Sequence, residues 1–285
     1  MFQGLHTEGQ DNGLDILLRG DSQPDEFRFR LGNSLLMRLG STSGSFEVGD
    51  VIQGDSSTDD GVVEKVKTIQ GDTVLKLSGI GEAEVFEVGE GITNQTRSGA
   101  GTIINGVMNL SNVSVSYLQR NETIEGSSSG ATAKIEGVYG QMVSVTDITG
   151  TFTADETIVG QTTGAEATMD SIYAGVPGLF KDDTTSDIIG EPTSGGYDPV
   201  VTSVSETTWP TKQTDISGNY YMLSKTVTFT ASGSAMGPVN TIIITAKWEG
   251  GDEIMLASAP LKDTPPSELI SEDTTLNVQH RMSLD

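Results

Sequence analysis

The sequence predicts an all-β protein: an antiparallel β-sandwich, jelly-roll or immunoglobulin-like, split by an insertion of small β-barrel-like or hairpin repeat modules. Three observations predict it. Apolar residues fall in short runs of period two, bounded by turn residues, with almost no helical periodicity. Hydrophobic residues are only 35% of the chain, and 35 glycines make up the shortfall, which is a turn-rich rather than a disordered composition. The middle of the chain repeats one unit four times, and the two ends do not.

The elements follow in order. Met1 to Gly13 form a polar arm whose apolar handles are Phe2 and Leu5, candidates for docking on a neighbour. LDILLRG (14–20) and EFRFRLG (26–32) read as strands joined by the turn-forming DSQPDE. In the second run Phe27, Phe29 and Leu31 alternate with Arg28 and Arg30, which places aromatics on one face and arginines on the other. NSLLMRLG (33–40) is a compact apolar cluster that suits a helix or a strand equally. Residues 1–40 are therefore assigned to the arm and first strands of the sandwich.

Residues 41–176 hold the repeats, at 46–66, 86–104, 117–135 and 152–169. Each opens on an aromatic (Phe46, Phe86, Tyr117, Phe152). An acid-bearing turn follows, then an isoleucine (Ile52, Ile92, Ile124, Ile158), then a polar tip with a glycine (Gly61, Gly99, Gly130, Gly164) and an apolar strand. Uneven spacing argues against a solenoid of fixed period. A unit of about 35 residues buries too little surface to stand alone, so units are expected to pack in pairs or on other copies. The glycine tips are expected to be hairpins using positive φ.

From 177 to 285 the chain returns to strands: SKTVTFTAS (224–232), NTIIITAKW (240–248), EIMLASAPL (253–261) and TTLNVQHRMSL (274–284). Neither end closes a sandwich alone, so 177–285 is expected to complete the one begun by 1–40.

Net charge is −24, spread along the chain. Such a surface repels phosphate backbones and argues against direct nucleic-acid binding. There is no cysteine, hence no disulfide or thiolate site. No apolar run reaches a membrane span, and the first residues do not resemble a secretory signal.

Chemical signatures are sparse. His6 and His280 lie far apart and beside no nucleophile motif. Asp55, Asp59 and Asp60 invite a calcium reading, but the EF-hand glycine position is occupied by Asp60, and a solvated hairpin tip fits better. The sequons at Asn94, Asn109, Asn112 and Asn121 lack a secretory context. Trp209, Tyr220, Tyr221 and Trp248 could form a weak ligand platform, although core or interface positions suit such aromatics better. No catalytic, cofactor or metal set is assigned.

Both ends carry a resemblance. GLHTEGQDNGLDILLRGDSQPDEFRFRLG, IIGEPTSGGYDPVVTSVSETTW (188–209) and VTFTASGSAMGPVNTIIITAKWEGGDEIMLASAPL (227–261) resemble a group of small tailed-bacteriophage virion proteins. The repeats resemble the "GETIxGxTSGATA" modules of phage structural proteins. The resemblance implies a non-enzymatic virion protein without cofactors, assembled in the host cytoplasm and located in the virion. It implies major capsid or tail proteins as partners and a homo-oligomer, trimer or array. The role it implies is capsid decoration or cement; the alternative is a tail- or head-fibre adhesin that binds a host glycan.

Overall fold

The computed structural model describes residues 26–78, 80, 85–114, 118–180, 188–189, 200–203, 211–214, 220–223, 226–231, 233–247, 253–261, 268–278 and 281–283. Among these residues the protein is all-β with antiparallel pairing and contains no helix, so no described helix is long and apolar enough to cross a membrane. The chain divides into two compact units. A split unit joins residues up to Asn33 with Gly178–Leu261 and the C-terminal stretch; an inserted unit is Ser34–Pro177.

The split unit begins with β1 (Glu26–Gly32). The inserted unit then builds the same barrel twice. The first uses β2 (Leu35–Gly44), β3 (Val51–Gly54), β4 (Asp60–Ile69), β5 (Asp72–Ser78), β6 (Gly91–Asn94) and β7 (Gly99–Ile103). They pair in the order β2-β5-β4-β3-β6-β7, and β7 pairs back onto β2 to close the ring. The second uses β8 (Gly106–Ser111), β9 (Thr123–Gly126), β10 (Thr132–Tyr139), β11 (Met142–Thr149), β12 (Thr157–Gly160) and β13 (Glu166–Ala174). Its closed order, β8-β11-β10-β9-β12-β13, matches the first strand for strand.

Each barrel takes two repeats, which is how units too small for a core obtain one. The repeat isoleucines Ile52 and Ile92 are fully buried in the first core, Ile124 and Ile158 in the second. Ring closure also leaves no long unpaired edge to manage. β14 (Val176–Pro177) pairs with the start of β2, Val176 opposite Leu36 and Pro177 opposite Leu35. The chain thus leaves this unit beside the strand by which it entered, the geometry an insertion requires.

The two barrels are joined through a short polar seam. Asn105, between β7 and β8, accepts from the Arg38 N–H at 2.8 Å and donates to the Leu36 carbonyl at 2.9 Å. The buried Arg38 guanidinium donates to Glu136 (3.0 Å) and Thr146 (2.9 Å) of the second barrel. It also lies 3.3 Å from Asp72 of the first. Val88 packs against both cores.

Several sequence expectations are corrected here. Within the cluster at 33–40, residues 35–40 are strand and belong to the insertion rather than to the sandwich start, because Leu35, Met37 and Leu39 point into the first barrel. The unit boundary therefore falls at 33/34 and not at 40/41. In the third repeat the buried opening residue is Leu118; Tyr117 lies outside the described residues. Only Gly130 and Gly164 use positive φ at the tips (66° each). Thr58 does so in the first repeat (65°), while Gly61 and Gly99 lie in β4 and β7.

The split unit resumes with β15 (Ile188–Ile189), β16 (Val200–Ser203), β17 (Thr211–Thr214), β18 (Tyr220–Leu223), β19 (Val227–Thr230) and β20 (Met236–Val239). It ends with β21 (Thr241–Lys247), β22 (Glu253–Pro260), β23 (Glu268–Ile270), β24 (Thr275–Val278) and β25 (Arg281–Ser283). β1 is central: β21 flanks it on one side, with β22 beyond, and β15 and β16 on the other. β17-β18-β25, β19-β24 and β20-β23 form smaller sheets. Phe29 and Leu31 are buried, but so is Arg30 on the opposite face. Ile242, Ile243 and Ile244 are buried in succession on β21, as a sheet covered on both faces requires. The run 274–284 is two strands, β24 and β25, not one. LDILLRG (14–20) lies outside the described residues.

Candidate functional site

The repeat signature is built around one acid per unit: Asp50, Glu90, Glu122 and Glu156. All four are buried. The preceding residue is left-handed in every copy: Gly49 (φ 89°), Gly89 (83°), Asn121 (68°) and Asp155 (64°). Gly, Asn and Asp are the residue types that tolerate this conformation, and the sequence supplies nothing else there. The resulting turn is closed by the acid's own N–H, which donates to Glu47, Glu87, Gln119 or Thr153 three residues back. The carboxylate folds back on the same turn. It accepts from the N–H of Glu47 at 2.8 Å, of Glu87 at 2.6 Å, of Gln119, and of Thr153 at 2.7 Å.

Each carboxylate then crosses to the hairpin tip of its partner repeat. Glu90 accepts from the N–H and hydroxyl groups of both Ser56 and Ser57, at 3.0–3.1 Å. Glu156 does the same with Ser128 and Ser129, at 2.9–3.3 Å. Glu122 accepts from the Thr163 N–H and hydroxyl. Asp50 accepts from Asn94 Nδ2 at 2.6 Å and Arg97 Nε at 2.8 Å. The exchange is reciprocal in each barrel, because the central pairs are symmetric in register: Ile52 opposite Asn94 and Gly54 opposite Ile92, Ile124 opposite Gly160 and Gly126 opposite Ile158. We refer to each contact as a clasp.

The residue two positions after each isoleucine decides whether the clasp fits. Three are glycines. A Cβ on Gly54 would lie 2.6 Å from Glu90 Oε2, on Gly126 2.5 Å from Glu156 Oε2, and on Gly160 2.6 Å from Glu122 Oε2. The fourth is Asn94, and it faces the one aspartate. The shorter acid leaves room, and the asparagine amide fills it. Asn94 Oδ1 also caps its own tip by accepting from the N–H groups of Thr96 and Arg97. Acid length and tip residue are thus matched within each clasp.

Electrostatically, Asp50, Glu90 and Glu156 are held ionised. Burial raises the Glu156 carboxyl, but the N–H groups of Thr153 and Ser129 and the hydroxyls of Ser129 and Ser128 outweigh it, and it falls from 4.5 to about 2. Glu90 is lowered in the same way: burial opposes, and donors from Ser57, Glu87 and Ser56 prevail. Asp50 is lowered against burial by the Glu47 N–H, Asn94 and Arg97. A general acid requires the opposite shift, so Asp50, Glu90 and Glu156 act as structural anions.

A pH dependence follows. Folded-state depression means the stabilisation is complete above the unfolded carboxyl pKa and is lost as pH falls through the folded one. Melts followed by circular dichroism should give a midpoint that is flat from about pH 8 to 5 and falls between about pH 4.5 and 2. A midpoint that falls already between pH 7 and 5 would contradict the clasp assignment.

The residues singled out from sequence fall elsewhere. Phe2, Leu5, His6, Trp209, Trp248 and His280 lie outside the described residues. Tyr220 and Tyr221 are on β18, opposite Thr214 and Gln213. Asp55 accepts from Thr93 Oγ1 at 2.8 Å, Asp59 accepts from the Val85 N–H at 2.6 Å, and Asp60 is an exposed strand residue. Among the described residues no cluster of three or more His, Cys, Asp or Glu side chains could hold a metal ion. Of the sequon asparagines, Asn94 belongs to a clasp and Asn121 to its turn. Asn109 donates to Ser171 and Asn112 to Thr168. Sequence reasoning missed the clasps, although their signal was present as an acid two residues before every repeat isoleucine. No known protein family, curated protein or solved structure matches this chain.

Proposed function

We propose that the protein is a non-enzymatic structural component of a bacteriophage virion, specifically a capsid decoration or cement protein. In this reading the split unit is a jelly-roll or immunoglobulin-like sandwich that anchors to the particle, and the twin barrels are the module it displays. The observation that carries the proposal is the use of the repeated acids. The residues that most define the insertion are spent on internal clasps, and Asp50, Glu90 and Glu156 among them are held ionised against acid, which suits a durable building block and not a reaction centre. The adjacent β2 and β14 ends add to this, since a module whose ends lie together can be inserted into a host domain without disturbing it. The resemblance of both chain ends to small phage virion proteins supplies the particle. The acidic surface suits an outward, soluble coat. Partners are then the major capsid protein and further copies of this chain, arranged with the shell's symmetry.

The test is the copy number and location of the chain in purified particles of the phage that encodes it, by quantitative mass spectrometry and electron cryomicroscopy. Hundreds of copies on the head are expected. A small set confined to the tail would overturn decoration in favour of the adhesin role. Turnover of a polysaccharide by the purified protein would overturn the non-enzymatic reading altogether.

A further inference from the structure

β7 ends at Ile103 and β8 begins at Gly106, so Ile104 and Asn105 are the direct link between the two barrels. A link this short would act as a hinge if it were free, but both residues are held. The Ile104 N–H donates to the Arg38 carbonyl of β2 at 3.0 Å, and its carbonyl accepts from the Ile148 N–H of β11 at 3.1 Å. Asn105 grips β2 through its side chain, and its carbonyl accepts from the Gly175 N–H at 2.9 Å. The cores meet here as well. Ala174, the last residue of β13, belongs to the core of the first barrel, and Val88 packs against both.

Arg38 adds a charged contact to this junction. Its guanidinium is shared between the barrels: Asp72 lies 3.3 Å away on the first, and Glu136 and Thr146 accept from it on the second. It is not part of the duplicated construction. Asp72 opposite Ile69 corresponds to Met142 opposite Tyr139, because each pair closes its hairpin. One residue on, Leu39 opposite Thr73 corresponds to Met108 opposite Val143. Arg38 therefore stands where the second barrel has Val107. A barrel of this design closes with valine at that place, so the arginine serves the contact between barrels and not the barrel that carries it.

We propose that Arg38 is a coupling residue whose guanidinium makes the two barrels open as one body, so that neither unfolds while the other stays closed. The backbone ties of Ile104 and Asn105 reach β11 and the β13–β14 turn. Arg38 reaches one strand further, to Glu136 on β10. Apolar contacts such as those of Val88 and Ala174 are non-directional and allow one barrel to rock on the other. Hydrogen bonds from a planar guanidinium are strong and fixed in direction, and those from Arg38 end on two adjacent strands, which resists that motion.

The experiment is native-state hydrogen exchange on the full chain, over urea concentrations below the unfolding transition. Leu75 on β5 and Val145 on β11 report the opening of a whole barrel, since both side chains are fully buried and both strands are paired on each side. Tip amides open locally and are not the readout. In the wild type the two amides should converge on one opening free energy and one urea dependence. Arg38→Met removes the guanidinium and leaves the backbone contacts of residue 38 in place. Replacing a buried charge by an apolar side chain can itself stabilise a protein, so the test is convergence rather than absolute rate. In this variant the two amides should part by at least about tenfold in exchange rate. Glu136→Ala with Thr146→Val removes the acceptors on the second barrel instead and should part them in the same way; it decides the matter if Arg38→Met does not fold. Wild-type amides that never converge overturn the proposal, because the barrels then open separately. Convergence retained in a folded variant overturns it too, because the junction then couples the barrels without the guanidinium.

Discussion

Replacing Glu156 by alanine is expected to destabilise the second barrel by about 3 kcal/mol, a large share of a domain's total stability. The Ser128, Ser129 and Thr153 N–H groups donate to this carboxylate. Removing the acceptor strands them in a site where Glu156 itself is only 6% exposed. Hydrogen bonds to a charged group contribute about 1.5–3 kcal/mol, and each buried donor left unmade costs about 1–3 kcal/mol. Water reaching the tip will relieve part of that cost. Urea unfolding should register the loss as a lower midpoint with little change in slope. Hydrogen exchange gives the sharper readout: the Ser128, Ser129 and Thr153 amides should lose protection, while Ser56 and Ser57, held by Glu90 in the first barrel, should keep theirs. Glu156→Gln is the companion variant. It preserves volume but turns an amide donor toward donors, so it should behave much like the alanine. Full protection in both variants would show that the tip stands without its clasp.

What the sequence revealed and what it hid divide along one physical line. The period-two run at 26–32 is legible as β1 because alternation encodes a strand directly. The repeat isoleucines are legible as core because they are large, apolar and recur at the same place in every unit. Pairing of repeats follows from the arithmetic of core size. The clasp is different in kind: the partners of Glu156, Ser128 and Ser129, lie in another repeat, and no local pattern connects them. Read alone, the serines are turn formers and the glutamate is one acid among many on an acidic chain. Only ring closure, which sets Ile124 opposite Gly160 and Gly126 opposite Ile158, brings acid and tip together. The same reasoning explains the misplaced boundary. NSLLMRLG has a strand's residues, but which barrel it lines depends on its pairing with β5 and β7, partners that lie beyond any local window.

The matching of acid length to tip residue makes a second strong prediction, because the chain contains both solutions. Gly126→Asn alone drives a side chain into the Glu156 carboxylate, whose Oε2 lies 2.5 Å and Cδ 2.6 Å from the new Cβ. An overpacked site of this kind should cost about 2–4 kcal/mol. Glu156→Asp alone withdraws the carboxylate by one methylene from both serines and should cost about 1–2 kcal/mol. Combined, they recreate the pairing of Asp50 with Asn94, in which the amide reaches the shorter acid at 2.6 Å. The backbone permits it, since neither Gly126 nor Asn94 has a positive φ. The double variant should therefore be more stable than the sum of its parts by at least about 1 kcal/mol, a coupling expected of residues in direct contact. Recovery should stay incomplete, because the first barrel adds Arg97 to its aspartate, whereas the corresponding point of the Gly126 tip is Ser129. Simple additivity in this cycle would mean that the two sites are not coupled, and that the single Asp–Asn clasp among three Glu–Gly clasps carries no steric logic.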